Sequence, residues 1–179
     1  MYSLQSFLFI QIVLLILFSC SNTDQKNAAT ATDSSKTELA DTTATVQLKD
    51  AKLQSIYDGY ISLKNSLVDT KYDESKNAAS ELQTHLAAYK GCEQTATVAG
   101  KIAGAKDIVE QRKQFTQLSA DLIAVLKQAE LSSGAIYVQH CPMANNGDGG
   151  DWLSSQKNIQ NPYYGDEMME CGAVLAEIK

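Results

Sequence analysis

The sequence has little of what most enzymes and nucleic-acid-binding proteins need. Its 179 residues include only 2 histidines, and 15 Lys and Arg face 21 Asp and Glu, which gives a net charge of −6. This acidic balance, without any cluster of basic residues, argues against a nucleic-acid partner. No nucleophile–base motif, phosphate-binding loop or carboxylate–histidine metal motif is present. We therefore expect a protein that is not an enzyme.

Proline and glycine are also scarce before residue 134, which favours helices. Apolar residues recur there at helical spacing in three stretches, 46–69, 70–89 and 96–129, and Thr70 to Asp73 forms a weak capping box. Gly91 is placed to stop the second helix, and the long third stretch predicts a shorter helix to about Val109 joined to a longer one. The sequence thus predicts a mainly α fold, an up-down helical bundle.

Arg112 falls on the apolar stripe of the last stretch. We expect it to pair with a carboxylate or to cap a backbone carbonyl, because a charged group on a buried face needs partners. An anion site is a less favoured interpretation of the same residue.

The N-terminus lacks Lys and Arg, yet residues 4–18 are almost entirely apolar. That run has the length of a signal-peptide core and is short for a membrane span. The residues Leu17 to Cys20 resemble a bacterial lipobox, so we expect a signal peptide over 1–19, lipidation of Cys20, and a lipid-anchored protein of the cell envelope facing the periplasm. The alternative is a non-lipoprotein signal sequence that happens to end in cysteine. Residues 20–45 are polar and small and predict a flexible tether, which leaves 46–179 as the folded domain.

Two β-branched and aromatic segments close the chain, residues 135–141 and part of 171–178. Paired antiparallel, they form a two-stranded β-hairpin that brings Cys141 beside Cys171, although 30 residues separate them. The intervening segment predicts an ordered loop over the bundle end. It has a small core of Trp152, Leu153, Ile159 and Tyr163, and a short helix over 152–159 capped by Asp151.

Sulfur is concentrated at both ends of this loop, in Cys141-Pro142-Met143 and in Met168 to Cys171. An extended Cys-Pro-Met puts Cys141 and Met143 on one side, because alternate residues of an extended chain face the same way. A helical turn over 166–171 puts Met168 beside Cys171. Two thiolates and two thioethers suit a soft monovalent ion, so the predicted metal site is Cys141, Met143, Met168 and Cys171, with Cu(I) bound.

Other interpretations of these residues stay open. Zinc fits less well, because thioethers are poor zinc ligands and only His140 and Glu170 could complete a site. Cys141 and Cys171 could instead form a structural disulfide in a protein-interaction module without metal. The methionines could be core residues, and the glycines of 145–150 a flexible turn that lacks two carboxylates of a calcium loop.

The sulfur-bearing segment also resembles a known signature. Cys-Pro-Met-Ala at 141–144, Trp-Leu-Ser at 152–154, Asn-Pro-Tyr-Tyr-Gly at 161–165 and Cys-Gly at 171–172 are similar to a bacterial envelope domain family of unknown function. The resemblance extends loosely over residues 50–178. That family occurs as lipoproteins and on periplasmic adaptor subunits of heavy-metal efflux pumps. The resemblance implies copper or heavy-metal handling, with an efflux adaptor or pump as a partner.

Overall fold

The computed structural model describes residues 45–179. The expected signal peptide, Cys20 and all but the last residue of the expected tether lie outside the described residues. Over 45–179, none of the helices is both long and apolar enough to span a membrane.

Four helices form the larger part of the described chain: α1 (Ala51–Val68), α2 (Tyr72–Ala87), α3 (Glu93–Ala103) and α4 (Ile108–Leu126). Each helix packs against the next one along the chain, with short connections between them. Side-chain caps begin two of the helices, since Asp50 accepts hydrogen bonds from two amides of α1 and Asp107 accepts one from Glu110. The predicted mainly α bundle is confirmed.

The helix ends differ from the predicted ones for local reasons. A short strand, β1 (Gln47–Leu48), precedes α1 and pairs with β2 (Leu131–Ser133) after α4. Thr70 has a φ of 57° and does not cap α2, which begins after Lys71 without a side-chain cap. α2 ends at Ala87, before the predicted stop at Gly91, and Gly91 instead takes a φ of 92° in the following turn.

The break between α3 and α4 lies earlier than predicted. α3 ends at Ala103 with Gly104 as its C-cap, and α4 starts at Ile108, so Val109 is in the first turn of α4. The Asp107 carboxylate, 2.8 Å from the Glu110 amide, fixes this start. Gly104 thus ends α3, and the Asp107 side-chain cap begins α4.

A three-stranded antiparallel sheet follows the helices, in the order β4 (Gly150–Ser154), β3 (Ile136–Cys141), β5 (Ala173–Ile178). The predicted hairpin of β3 and β5 is confirmed, with Ile136 opposite Ile178 and His140 opposite Ala173. The predicted helix over 152–159 is wrong, because residues 150–154 instead pair with the other edge of β3. This pairing satisfies backbone groups of β3 that a helix would leave without partners.

Trp152, Leu153 and Tyr163 are buried as expected, and Ile159 packs against them from a partly buried position. Phe115 stacks on Tyr60 with ring centroids 5.3 Å apart, and its other neighbour is Tyr163 at 5.9 Å. Tyr163 of the loop in turn lies 6.1 Å from Trp152 of β4 between ring centroids, so this row of aromatic contacts joins α1 and α4 to the sheet.

The fully buried Tyr60 hydroxyl links helix to sheet. It lies 2.7 Å from Ser119 Oγ on α4 and accepts a 3.1 Å hydrogen bond from the Leu153 amide of β4. We predict that Tyr60→Phe lowers the free energy of unfolding by about 1–3 kcal/mol, because it leaves buried polar groups unpaired. Urea denaturation measures this change.

The matched control is Tyr137→Phe on β3, a partly buried tyrosine outside this network. It should change the free energy of unfolding by less than about 0.5 kcal/mol. If both substitutions lowered the free energy of unfolding equally, the Tyr60 hydroxyl would not be what stabilises the contact between helix and sheet.

Candidate functional site

The two cysteines of the C-terminal segment lie side by side at one end of the sheet. Cys141 is the last residue of β3, and Cys171 stands two residues before β5. The strand pairing places their Sγ atoms 2.7 Å apart. The Cys141 side chain is fully buried, whereas Cys171 is partly exposed, and both are free thiols. The pair can therefore be reached from solvent through Cys171.

The Cys171 thiol is electrostatically linked to its neighbour. Its pKa is raised, first because it hydrogen-bonds to the Cys141 sulfur and then because it is partly desolvated. The Met143 backbone amide opposes this shift by hydrogen bonding to the Cys171 sulfur. The raised pKa means that a proton competes with any metal ion for this sulfur at neutral pH.

Met143 lies near the pair but not in the predicted extended conformation. β3 stops at Cys141, and Met143 has φ −85° and ψ −12° at the start of a 3-10 turn over Ala144–Gly147. That turn contains Asn145 and Asn146 at positive φ, which the sequence pattern does not reveal. The Met143 side chain is 52% exposed. The predicted extended Cys-Pro-Met is thus wrong, although Met143 remains next to the cysteine end of the sheet.

Met168 also departs from the predicted helical geometry. A 3-10 turn covers only Gly165–Glu167, and Met168 follows it with φ −148° and ψ 52°. The Cys171 amide donates to the Met168 carbonyl at 3.1 Å, so one turn, not a helix, joins these residues. Met168 is partly buried. The helical turn over 166–171 is wrong, but the tight turn keeps the backbones of Met168 and Cys171 close.

His140 faces a different partner, as the alternation along β3 predicts. Its Nδ1 lies 2.7 Å from Asp151 Oδ1 on β4. Within residues 45–179, no three His, Cys, Asp or Glu side chains converge as a metal site. The candidate donors for a metal ion are therefore the two sulfurs of the cysteine pair and the adjacent methionines.

Asn161 positions the chain at Cys171. Its backbone amide donates to the Met169 carbonyl at 2.9 Å, and its side-chain Nδ2 donates to the Cys171 carbonyl at 3.2 Å. Its Oδ1 also accepts from the Tyr163 amide at 2.9 Å. The residue is fully buried, so these bonds fix the path of the loop as it approaches the pair. The sequence analysis did not predict this role of Asn161.

Arg112 fastens the same loop to the helices. Its Nε donates to the Pro162 carbonyl, and its Nη2 donates to the Leu67 carbonyl and to Thr70 Oγ1, each at 2.9 Å. The expectation that Arg112 caps carbonyls is confirmed. Gly165 is required beside it, because φ is 60° and an added Cβ would lie within 2.7 Å of Thr70 Oγ1 and the Val68 carbonyl.

Comparisons with known proteins bear on the helices. A family described as "Protein of unknown function (DUF3347)" matches residues 56–134. The matched range contains most of α1, all of α2, α3 and α4, and the β2 strand, and it ends before β3. A search of curated proteins and a search of solved structures each found no match.

We predict that Arg112→Lys lowers the free energy of unfolding by about 1.5–3 kcal/mol. An ammonium cannot reproduce the planar guanidinium that reaches acceptors on both the loop and the helix end. Urea denaturation measures the change. The matched control is the reverse exchange at the exposed neighbour, Lys113→Arg, for which little change is expected. A similar loss in both variants would contradict this role of the guanidinium.

Proposed function

We propose that the protein binds a soft monovalent metal ion, Cu(I), through Cys141 and Cys171 in their reduced form. The observation that carries the proposal is the contact between the two thiol sulfurs, 2.7 Å apart at the end of the hairpin. Thiolates prefer soft ions such as Cu(I), and two of them more than cancel its single charge. Met143 lies in the turn after Cys141, and Met168 lies in the turn before Cys171. Their thioethers complete a three- or four-coordinate site.

Binding requires a small movement of the pair. Two sulfurs that share a tetrahedral metal ion at about 2.3 Å each lie roughly 3.7 Å apart, so the thiols must separate by about 1 Å. Cys171 lies outside the β5 ladder, and rotation of its side chain can supply this separation while its backbone hydrogen bonds with Met168 and Asn161 remain. The exposed Met143 side chain is free to turn toward the ion. The two thiol sulfurs therefore need to move by only about 1 Å to share a Cu(I) ion.

The expected location gives this site a role in copper or heavy-metal homeostasis. A lipid anchor at Cys20 and a tether over 20–45 hold the domain at an envelope membrane, within reach of a membrane-bound partner. The resemblance of residues 141–172 to a segment found on efflux adaptors supports a heavy-metal efflux adaptor or pump as that partner.

A second candidate function is a disulfide-stapled protein-interaction module without metal. The closeness of the sulfurs and the full burial of Cys141 favour it, because a disulfide could form there with little rearrangement. Closing a loop of about 30 residues would contribute about 3.6 kcal/mol in the chain-entropy model. The oxidising envelope permits such a bond. Alkylation of free thiols in protein taken directly from the envelope, followed by mass measurement, separates the two states.

Competition with a Cu(I) chelator tests the metal site. We predict that the reduced protein binds one Cu(I), and that Cys141→Ser or Cys171→Ser each lowers affinity steeply. Met143→Leu and Met168→Leu should lower it mildly, because neutral thioethers contribute less than thiolates. Affinity should rise with pH up to the raised pKa of Cys171 and fall as pH drops, because protons then occupy the thiols.

Cys92→Ser is the matched control. Cys92 is a buried free thiol at the start of α3, and its loss should leave Cu(I) affinity unchanged. His85→Ala serves in the same way for the helical histidine. The copper proposal would be refuted if the double variant Cys141→Ser, Cys171→Ser bound Cu(I) as tightly as wild type in this competition titration.

A further inference from the structure

Lys64 is a buried cation with few partners. It lies on the inner face of α1 and is only 3% exposed. Among residues 45–179 its Nζ has one long hydrogen bond, 3.4 Å to Gln160 Oε1. The negative charge of Asp69 favours the charged form of Lys64. The Asp69 carboxylate, however, forms an ion pair with Lys71 at 3.4 Å. Since an ammonium has three donors, Lys64 has unused hydrogen-bonding capacity.

Burial has a measurable consequence for this lysine. Desolvation lowers the pKa of Lys64 from 10.5 to about 8. The side chain is therefore still mainly protonated at neutral pH, and the fold bears a buried charge that is poorly neutralised. Such a group is destabilising unless it meets an acceptor of opposite charge.

Lys64 is one of the residues that line a polar cavity of about 320 Å³. Besides Lys64 and Val68, its lining consists of amides, a hydroxyl and one carboxylate, from Asn65, Asp69, Ser155, Gln156 and Gln160. The cavity lies between α1 and the segment that follows β4. Its volume is sufficient for a small organic anion and its water shell.

Tyr57 provides an independent sign that this region lacks a partner. It stands two helical turns before Lys64 on the same face of α1, and within residues 45–179 its buried hydroxyl makes no well-formed hydrogen bond, although the Ser155 side chain lies near it. Ser155 lines the cavity, whereas Tyr57 lies beside it and is not part of its lining. Two buried polar groups on one face of α1, with Gln160 and Ser155 as their nearby polar side chains, therefore lack full hydrogen bonding.

We propose that this cavity binds a small monocarboxylate, whose oxygens accept hydrogen bonds from the Lys64 ammonium. The side-chain amides of Asn65 and Gln156 offer further donors. Asp69 at the rim adds a negative charge, which selects against ions of higher charge such as the phosphate dianion. This site is separate from the cysteine pair and does not depend on metal binding.

Lysine-detected NMR on the full chain in detergent micelles tests the site, with acetate as the probe at constant ionic strength. The ε-methylene signal of Lys64 should shift with acetate until it saturates, and bound acetate should raise the pKa of Lys64 from about 8 by roughly one unit. Lys71 is the internal control, because it is half exposed and already paired with Asp69 and Glu74. Phosphate at pH 8 should bind at least tenfold more weakly than acetate.

Lys64→Met fills the same space without the charge. It should abolish the dependence of the melting temperature on acetate, whereas Lys71→Met should keep it. Without acetate, Lys64→Met should melt higher than wild type by several degrees. This difference should be largest below pH 8 and shrink as pH rises toward 10.5, because folded wild type then releases a proton that the unfolded chain retains.

Three results would overturn the proposal. The first is a Lys64 shift that stays linear in acetate or is shared equally by Lys71, which indicates ionic screening. The second is an unchanged acetate response in Lys64→Met. The third is phosphate binding as tightly as acetate, which refutes the preference for a monocarboxylate.

Discussion

The antiparallel pairing of β3 with β5 is the interaction on which the candidate site depends. It brings the end of one strand beside the start of the other, so two cysteines 30 residues apart become neighbours with sulfurs 2.7 Å apart. β3 is the central strand and is paired on both edges, which makes it the more rigid partner. Cys141 is therefore held in the core, while Cys171, before the first residue of β5, can adjust.

The loop between these strands is held by a few hydrogen bonds to backbone carbonyls. Arg112 ties Pro162 to the end of α1, and Asn161 ties the loop to Cys171. Gly172 lies against β3 so closely that an added Cβ would be 2.6 Å from the His140 carbonyl. The helices thus support the loop, and the loop sets the position of the partly exposed sulfur.

Periodicity predicts the parts of the fold that depend on burial of a repeating apolar face. It predicts the bundle, the hairpin and the closeness of Cys141 to Cys171. It does not predict β4, because Asp151 followed by apolar residues is also typical of a capped helix. The strand forms in place of that helix because it can pair with the free edge of β3. The turns at Met143 and Met168 depend on local backbone angles, such as positive φ at Asn145, that no pattern specifies. The burial of Lys64 is equally hidden, since lysine on an apolar stripe usually reaches solvent.

X-ray absorption spectroscopy at the copper edge tests the central claim most directly, on the reduced full chain loaded with one equivalent of Cu(I). We predict a first shell made of sulfur alone, with three or four scatterers that fall in number when Cys141 and Cys171 are replaced by serine. A shell dominated by nitrogen or oxygen, or one unchanged in the double variant, would contradict the assignment of the cysteine pair as the metal site.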